Sequence, residues 1–318
     1  MTLQRWPTPH WPEGVPLSVS GFDKPLFSML DDAARANPDN VYTIFSDATR
    51  TFAQVKDTAD RIAHFLHARG IRKGDRVAVF LPNLPHYPPI YFGIIKAGAI
   101  CVTCNPLYTA KELNFQLKDC GAKAVFCMDH PHFYPTTVKA VDATGVETVV
   151  VCSVKSYLPK LKGLIGGLLG KIPKAGKYEP GHLFFDDVVA QAKPQPPAVA
   201  IDPSKDLALI VYTGGTTGIP KGAGLTHTNF TYELACINEW IRLAHAEGAQ
   251  PEPQRQGGFH TYLGVLPWYH IFGMTCALLA SCGSGSRLIC VPDPRAGNPP
   301  FTEVLKIVQK YRPTLMPA

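Results

Sequence analysis

No apolar run in this chain is long enough to cross a bilayer. Of its 318 residues, the longest candidate stretch, Ile90 to Cys104, is broken by Lys96, whereas a spanning helix needs about 18–20 uncharged residues. The opening Met1-Thr2-Leu3-Gln4-Arg5-Trp6-Pro7 lacks the apolar core of a secretion signal. Charge is scarce as well: 18% of residues are charged, and 31 Lys and Arg against 25 Asp and Glu leave only +6. That mild excess suits anionic ligands such as nucleotides, or an acidic membrane surface, and does not demand nucleic acid, which is not expected as a partner. The expected location is therefore cytoplasmic, with at most a peripheral seat on a membrane face. A paired metal-binding pattern is missing too. Cys101 and Cys104 form a CxxC, but no second ligand pair stands at similar spacing, so a packed strand is the simpler reading. The nine cysteines are odd in number and sit in apolar runs such as Ala99–Val102 and Leu288–Val291, which reads as buried thiols in a reducing compartment. His130 and His132, flanking Pro131, read as an isolated surface turn.

What is present is a folded α/β pattern, with 46% hydrophobic residues to build a core. Residues 1–25 are an irregular arm. From Leu26 a helix places Leu26, Leu30, Ala33 and Ala34 on one face and breaks at Asn37-Pro38. Tyr42–Phe45 and Arg50–Phe52 read as a hairpin turning at Ser46-Asp47-Ala48-Thr49, and Phe52–Arg69 as a helix stopped by Gly70. Apolar runs then alternate with helices: Arg76–Leu81, a helix to Lys96, Ala99–Cys104, a helix over Glu112–Asp119, Ala124–Met128, Val138–Ala143 and Thr148–Cys152. Strands without polar alternation, separated by helices, predict parallel sheets covered on both sides.

Ser156–Pro180 interrupts this rhythm. It mixes Leu158, Leu161, Leu164, Ile165, Leu168, Leu169 and Ile172 with Lys160, Lys162, Lys171, Lys174 and Lys177, and it has no acid before Glu179. Two readings stand: a lysine-solvated helix packed on the domain, or a segment lying in a membrane interface. A Pro-rich connector, Gln191–Pro203, follows it.

The strand Leu207–Tyr212 then runs into Thr213-Gly214-Gly215-Thr216-Thr217-Gly218-Ile219-Pro220-Lys221-Gly222. Glycines let the backbone approach an anion and aim several N–H groups into one concavity. Thr213, Thr216 and Thr217 add hydroxyl donors, and Lys221 adds a mobile charge suited to phosphate oxygens. The spacing is not that of a Walker A loop, and a short strand rather than a helix follows the lysine. The next helix is expected to be capped by Thr228 or Asn229. The plain alternative, a Gly- and Thr-rich hairpin turn, does not call for so elaborate a tract.

From Tyr212 to Gly222 the chain closely resembles the signature loop of the adenylate-forming superfamily: acyl-CoA synthetases, firefly luciferases and peptide-synthetase adenylation domains. The family usually carries Ser where this chain has Gly215, so one hydroxyl donor is missing. Further matches follow in order: Leu81-Pro82-Asn83, Lys96-Ala97-Gly98-Ala99, Asn105-Pro106-Leu107-Tyr108 with Glu112-Leu113, and Leu266-Pro267-Trp268-Tyr269-His270-Ile271-Phe272-Gly273. The resemblance covers nearly everything from Leu26 onward. It implies the large N-terminal domain of the adenylate-forming fold over residues 26–318, incomplete at its C-terminus and without the family's small C-terminal domain.

The resemblance also implies two-step chemistry. A carboxylate attacks the α-phosphorus of ATP and pyrophosphate leaves; the thiol of CoA then attacks the acyl-adenylate. Thr213, Gly214, Gly215, Thr216, Thr217, Gly218 and Lys221 are the expected phosphate-binding residues. Lys221 and Thr216 would stabilise the leaving charge, and Thr216 or Thr217 would lie near Mg²⁺. Tyr269, His270 and Phe272 would form an aromatic wall beside the acyl group, with His270 either contacting the carboxylate or simply packing. Amino-acid-activating relatives place an acid near this segment to hold the substrate ammonium; here no acid occurs between Gly264 and Ser284, so the implied substrate carries no amine. The basic, leucine-rich stretch points toward fatty acids. An aryl- or medium-chain-acid:CoA ligase and a non-catalytic nucleotide- or acyl-binding fragment remain as alternatives.

Overall fold

The computed structural model describes residues 15–16, 18–170, 172–213, 219–246 and 260–317. Helix α1 (Ser28–Ala36) buries Leu30 and Ala34. It leads to the hairpin of β1 (Val41–Phe45) and β2 (Ala48–Thr51). The turn is shorter than the expected four residues. Ser46 and Asp47 alone make it, both at positive φ, 49° and 75°, the two-residue geometry that matches the strand twist. Nor does the second strand reach Phe52: Thr51 caps α2 (Phe52–Ala68), its side chain accepting from Gln54 N while Gln54 reaches back to Thr51 N.

The apolar runs become β3 (Arg76–Phe80), β4 (Ile100–Thr103), β5 (Ala122–Met128) and β6 (Thr148–Cys152), buried except at Arg76 and Lys123. Between them lie α3 (Tyr87–Lys96), α4 (Ala110–Cys120) and α5 (Phe133–Ala140). Val138–Ala143 is thus not a unit of its own: α5 takes its first part, and Ala143 turns at φ 52°. Lys96, the charge inside an apolar helix, is buried with its ammonium 2.5 Å from both Asp31 and Asp60, which locks α1, α2 and α3 together.

After α6 (Lys160–Leu168), β7 (Leu183–Phe184) and α7 (Phe185–Gln191), the chain forms β8 (Leu207–Thr213) and β9 (Lys221–Thr226). Helix α8 (His227–Ala246) starts earlier than expected. Thr226 exchanges hydrogen bonds with Asn229, so Thr226 rather than Thr228 or Asn229 is its cap. β10 (Thr261–Gly264), the short turns α9 (Ile271–Gly273) and α10 (Ala280–Gly283) with a π-helical stretch Met274–Leu279 between them, β11 (Arg287–Cys290) and α11 (Thr302–Tyr311) complete the described order.

The strands form two sheets. Seven run in the order β7-β6-β5-β3-β4-β8-β9 and four in the order β10-β11-β1-β2. Every pairing is parallel except β8–β9 and β1–β2. One hydrophobic core joins the two sheets, from Leu26 through the strands to Cys290, and a smaller cluster of Ile44, Leu263, Ile289 and Val291 is covered by α11. Among the described residues no helix is long and apolar enough to cross a membrane.

Candidate functional site

Parallel strands bring their carboxyl ends to one edge, where ligands of open α/β sheets are held. β4 and β8 pair with Thr103 beside Val211, so the turn after β4 and the tract after β8 emerge together. β9 returns antiparallel with Lys221 opposite Thr213, and Thr213 Oγ1 donates to the Lys221 carbonyl at 3.4 Å. Both residues are exposed, and among the described residues no carboxylate pairs with Lys221. Gly214, Gly215, Thr216, Thr217 and Gly218 lie outside the described residues. Next to the hairpin mouth the Tyr212 hydroxyl donates to the Asp119 carboxylate, and burial, together with that partner, pushes the Tyr212 pKa up.

The second sheet supplies the facing wall. Asn83, just after β3 and 5% exposed, donates to the Gly264 and Leu266 carbonyls at 2.9 and 2.8 Å and accepts from Trp268 N at 2.9 Å. Its amide thereby fastens the segment after β10 to the seven-stranded sheet. Trp268 is fully buried edge-on to Tyr87, whose hydroxyl donates to the Trp268 carbonyl. The turn then folds back so closely that a Cβ on Gly273 would stand 2.3 Å from the Pro267 oxygen. Only glycine fits there.

Tyr269, His270 and Phe272 do not share one wall. Tyr269 lines a cleft of about 490 Å³ with Asn83, His130, His132, Asp293 and Arg295. Phe272 lies in a separate groove of about 360 Å³ with Leu225, Phe230, Glu233, Ile271 and Cys276. The reason is local: a helical turn begins at Ile271, so Tyr269 precedes it and Phe272 rides on it. His270 is exposed and its Nδ1 accepts from Phe272 N at 3.3 Å, capping that turn. Burial raises the Tyr269 pKa.

His130 and His132 are more than surface residues. They follow β5 at the carboxyl edge and line the Tyr269 cleft, with His132 Nε2 3.1 Å from the Pro106 carbonyl. The legible signal was their position directly after a parallel strand. Cys101 and Cys104 are both buried, and desolvation drives both thiol pKa values up, as befits packed side chains. Among the described residues no group of three His, Cys, Asp or Glu is placed to hold a metal ion.

Comparison with known proteins agrees with this architecture. The AMP-binding enzyme family matches residues 30–318. A protein of Bacillus subtilis (strain 168) named long-chain-fatty-acid–CoA ligase is 34% identical over 97% of this chain and 52% of its own length. A probable 4-coumarate–CoA ligase of Dictyostelium discoideum is 28% identical over 91% of this chain and 48% of its own. The crystal structure of a long-chain-fatty-acid–CoA ligase from Archaeoglobus fulgidus shares the fold, with a TM-score of 0.72 at 23% identity over 96% of this chain and 54% of that one. The chain thus spans about half the length of these relatives. With the hairpin tract at the sheet's carboxyl edge and the family match running from α1 to the last residue, the chain belongs to the AMP-binding enzyme family.

Proposed function

We propose that this chain is the larger part of the acid-activating domain of an ATP-dependent acid:CoA ligase, residues 1–25 being an arm and residues 26–318 the domain. The observation that carries the reading is the β8–β9 hairpin, which sets Thr213 opposite Lys221 at the carboxyl edge of a parallel sheet, with Lys221 exposed and free of any described carboxylate. A lysine so placed is a point charge for phosphate oxygens. Thr213 and Lys221, with Gly214, Gly215, Thr216, Thr217 and Gly218 between them, would hold the triphosphate of ATP and the pyrophosphate as it leaves. Mg²⁺ would arrive on the triphosphate, and Thr216 or Thr217 would be the residue to stand near it, the ion sharing the charge of the leaving pyrophosphate.

The substrate acid is a fatty acid in this reading. The groove of Phe272 is bounded by Leu225, Phe230 and Ile271 and opens beside β9, so it would take the apolar chain. Tyr269 and His270 would stand nearer the adenylate, and CoA would be the second substrate. An aryl acid is the second reading, favoured by the 4-coumarate–CoA ligase relative. A peripheral membrane contact through Ser156–Pro180 would give access to acids dissolved in lipid.

The test is made in a protein of the relatives' full length. Lys221→Ala should slow acid-dependent ATP–pyrophosphate exchange by about 10²-fold, the scale of losing one preorganised donor. Conversion of added acyl-adenylate should barely change, because no pyrophosphate then needs stabilising. Equal losses in both steps would refute the assignment. Residues 1–318 alone should not form acyl-CoA, since Thr213 and Lys221 stand exposed to solvent and acyl transfer needs water shut out. Acyl-CoA made by the purified 318-residue chain would overturn that part.

A further inference from the structure

The apolar stripe of α6 faces the wrong way for a packed helix. Leu161, Leu164 and Ile165 recur at the spacing that normally turns toward a core, yet they are 68%, 58% and 47% exposed, and Leu169 just beyond is 61% exposed. Helices α1 and α2, by contrast, bury their stripes. An open hollow of about 590 Å³ lies between α6 and the loops after β5 and β6, its lining shared by Leu164, Gly167 and Ile172 and by Asp129, Ser153 and Lys155. The helix stands off the body rather than sealing against it.

The charge carried by the segment itself has one sign. Six lysines and no acid occur between Thr148 and Tyr178, and Lys155, Lys162, Lys174 and Lys177 are exposed. Lys162 is engaged with Asp47; its neighbours have no acid within the segment. Both ends are held. Tyr157 is buried against His86 with the Arg50 guanidinium 4.9 Å from its ring, and Tyr178 donates to Asp129 at 2.8 Å. The result is a short helix pinned at its flanks, presenting leucines outward within a lysine fringe.

We propose that α6 is the docking surface for an anionic lipid bilayer, its Leu161, Leu164, Ile165 and Leu169 entering the interface while Lys155, Lys174 and Lys177 meet the phosphates. Apolar burial and positive charge together are what an interfacial helix needs, each covering what the other cannot supply. The location adds a consequence that rests on the function proposed above. The loop after β5 alternates between two cavities, Asp129 and Pro131 facing the space under α6 and His130 and His132 facing the Tyr269 cleft. A bilayer held by α6 therefore lies one loop away from that cleft, and an acid dissolved in lipid has a short way to travel.

The test needs no substrate, so its failure is separate from any failure of the ligase reading. The chain is mixed with phosphatidylglycerol vesicles or phosphatidylcholine vesicles and sedimented at low and high salt. Binding is expected to phosphatidylglycerol, falling as salt rises. Leu161→Ser, Leu164→Ser and Ile165→Ser together should weaken it at least about tenfold, while the thermal midpoint stays put because all three side chains are exposed. Lys155→Gln, Lys174→Gln and Lys177→Gln should flatten the salt dependence. A Leu164→Trp reporter should shift its emission to the blue on phosphatidylglycerol alone. Unchanged binding in the triple serine variant, or an unmoved reporter, would overturn the proposal. So would a dimer of the parent chain that the triple serine variant dissolves while vesicle binding persists, since the stripe would then be a seat for a second copy.

Discussion

His227 begins α8 with its ring buried edge-on to Phe27, and its Nδ1 accepts from Leu26 N at 3.0 Å. An acceptor nitrogen must stay unprotonated, and burial, opposed by Asp206 and helped by Lys73, holds its pKa down at about 4. His86 is held down further, to about 3, by burial and by the Arg50 charge, wedged as it is between Tyr157 and Phe185. The unfolded chain protonates both near 6.5, so in the window between 6.5 and 4 it binds protons that the folded chain does not. Their stabilisation is complete above about 6.5 and falls with falling pH. Each should cost roughly 2 kcal/mol between pH 6.5 and 5. Urea unfolding across that window should give a slope of at least about 1.5 protons, since the lowered His130 and His182 add to these two, and His227→Gln should reduce it by about one. A flat profile would contradict the buried neutral state. Neither role was legible in the sequence. A histidine after a short strand shows no sign that Leu26, 201 positions away, will point its N–H at it.

Elements were far more legible, because their signals are local. Thr109 and Glu112 form a reciprocal cap on α4 and Gly121 ends it at φ 59°, all visible as residue types at fixed offsets. The same logic misplaced the start of α8, because Thr226 offers the cap chemistry two residues before Thr228. The turn at Pro267–Gly273 is the instructive case. Its motif was readable, but its shape, which parts Tyr269 from Phe272, comes from a backbone approach that leaves Gly273 no room for a Cβ. Gly273→Ala should force the Pro267 carbonyl aside, destabilise the fold by about 1–3 kcal/mol as overpacking does, and move Tyr269 and Phe272 relative to each other. Denaturant unfolding measures the first, and a crystal structure of the variant reports the second. A variant as stable as the parent would mean the turn can relax where the structure shows contact.

At the scale of the molecule, parallel strands and covering helices follow from the unalternated apolar runs, whereas the split into two sheets does not. β1 and β2 precede β3 in sequence, yet β1 pairs with β11, some 245 positions later, β2 pairs with β1, and neither pairs with β3. Nothing local distinguishes those runs, since pairing partners are chosen by packing across the whole chain. The two sheets therefore depend on long-range fasteners, and Asn83 is the one at the site. Its three hydrogen bonds run from the end of β3 to Gly264, Leu266 and Trp268, so its removal leaves two carbonyls and a buried N–H without partners. Asn83→Ala should cost about 2–4 kcal/mol and expose the Trp268 amide to hydrogen exchange before the strands of the seven-stranded sheet open. Asn83→Asp separates the two halves of the role. The carboxylate still accepts from Trp268 N but faces two carbonyl oxygens that it cannot serve, so at neutral pH it should be at least as damaging as alanine. An aspartate variant with the stability and exchange pattern of the parent would show that the two donated bonds do not hold the sheets together.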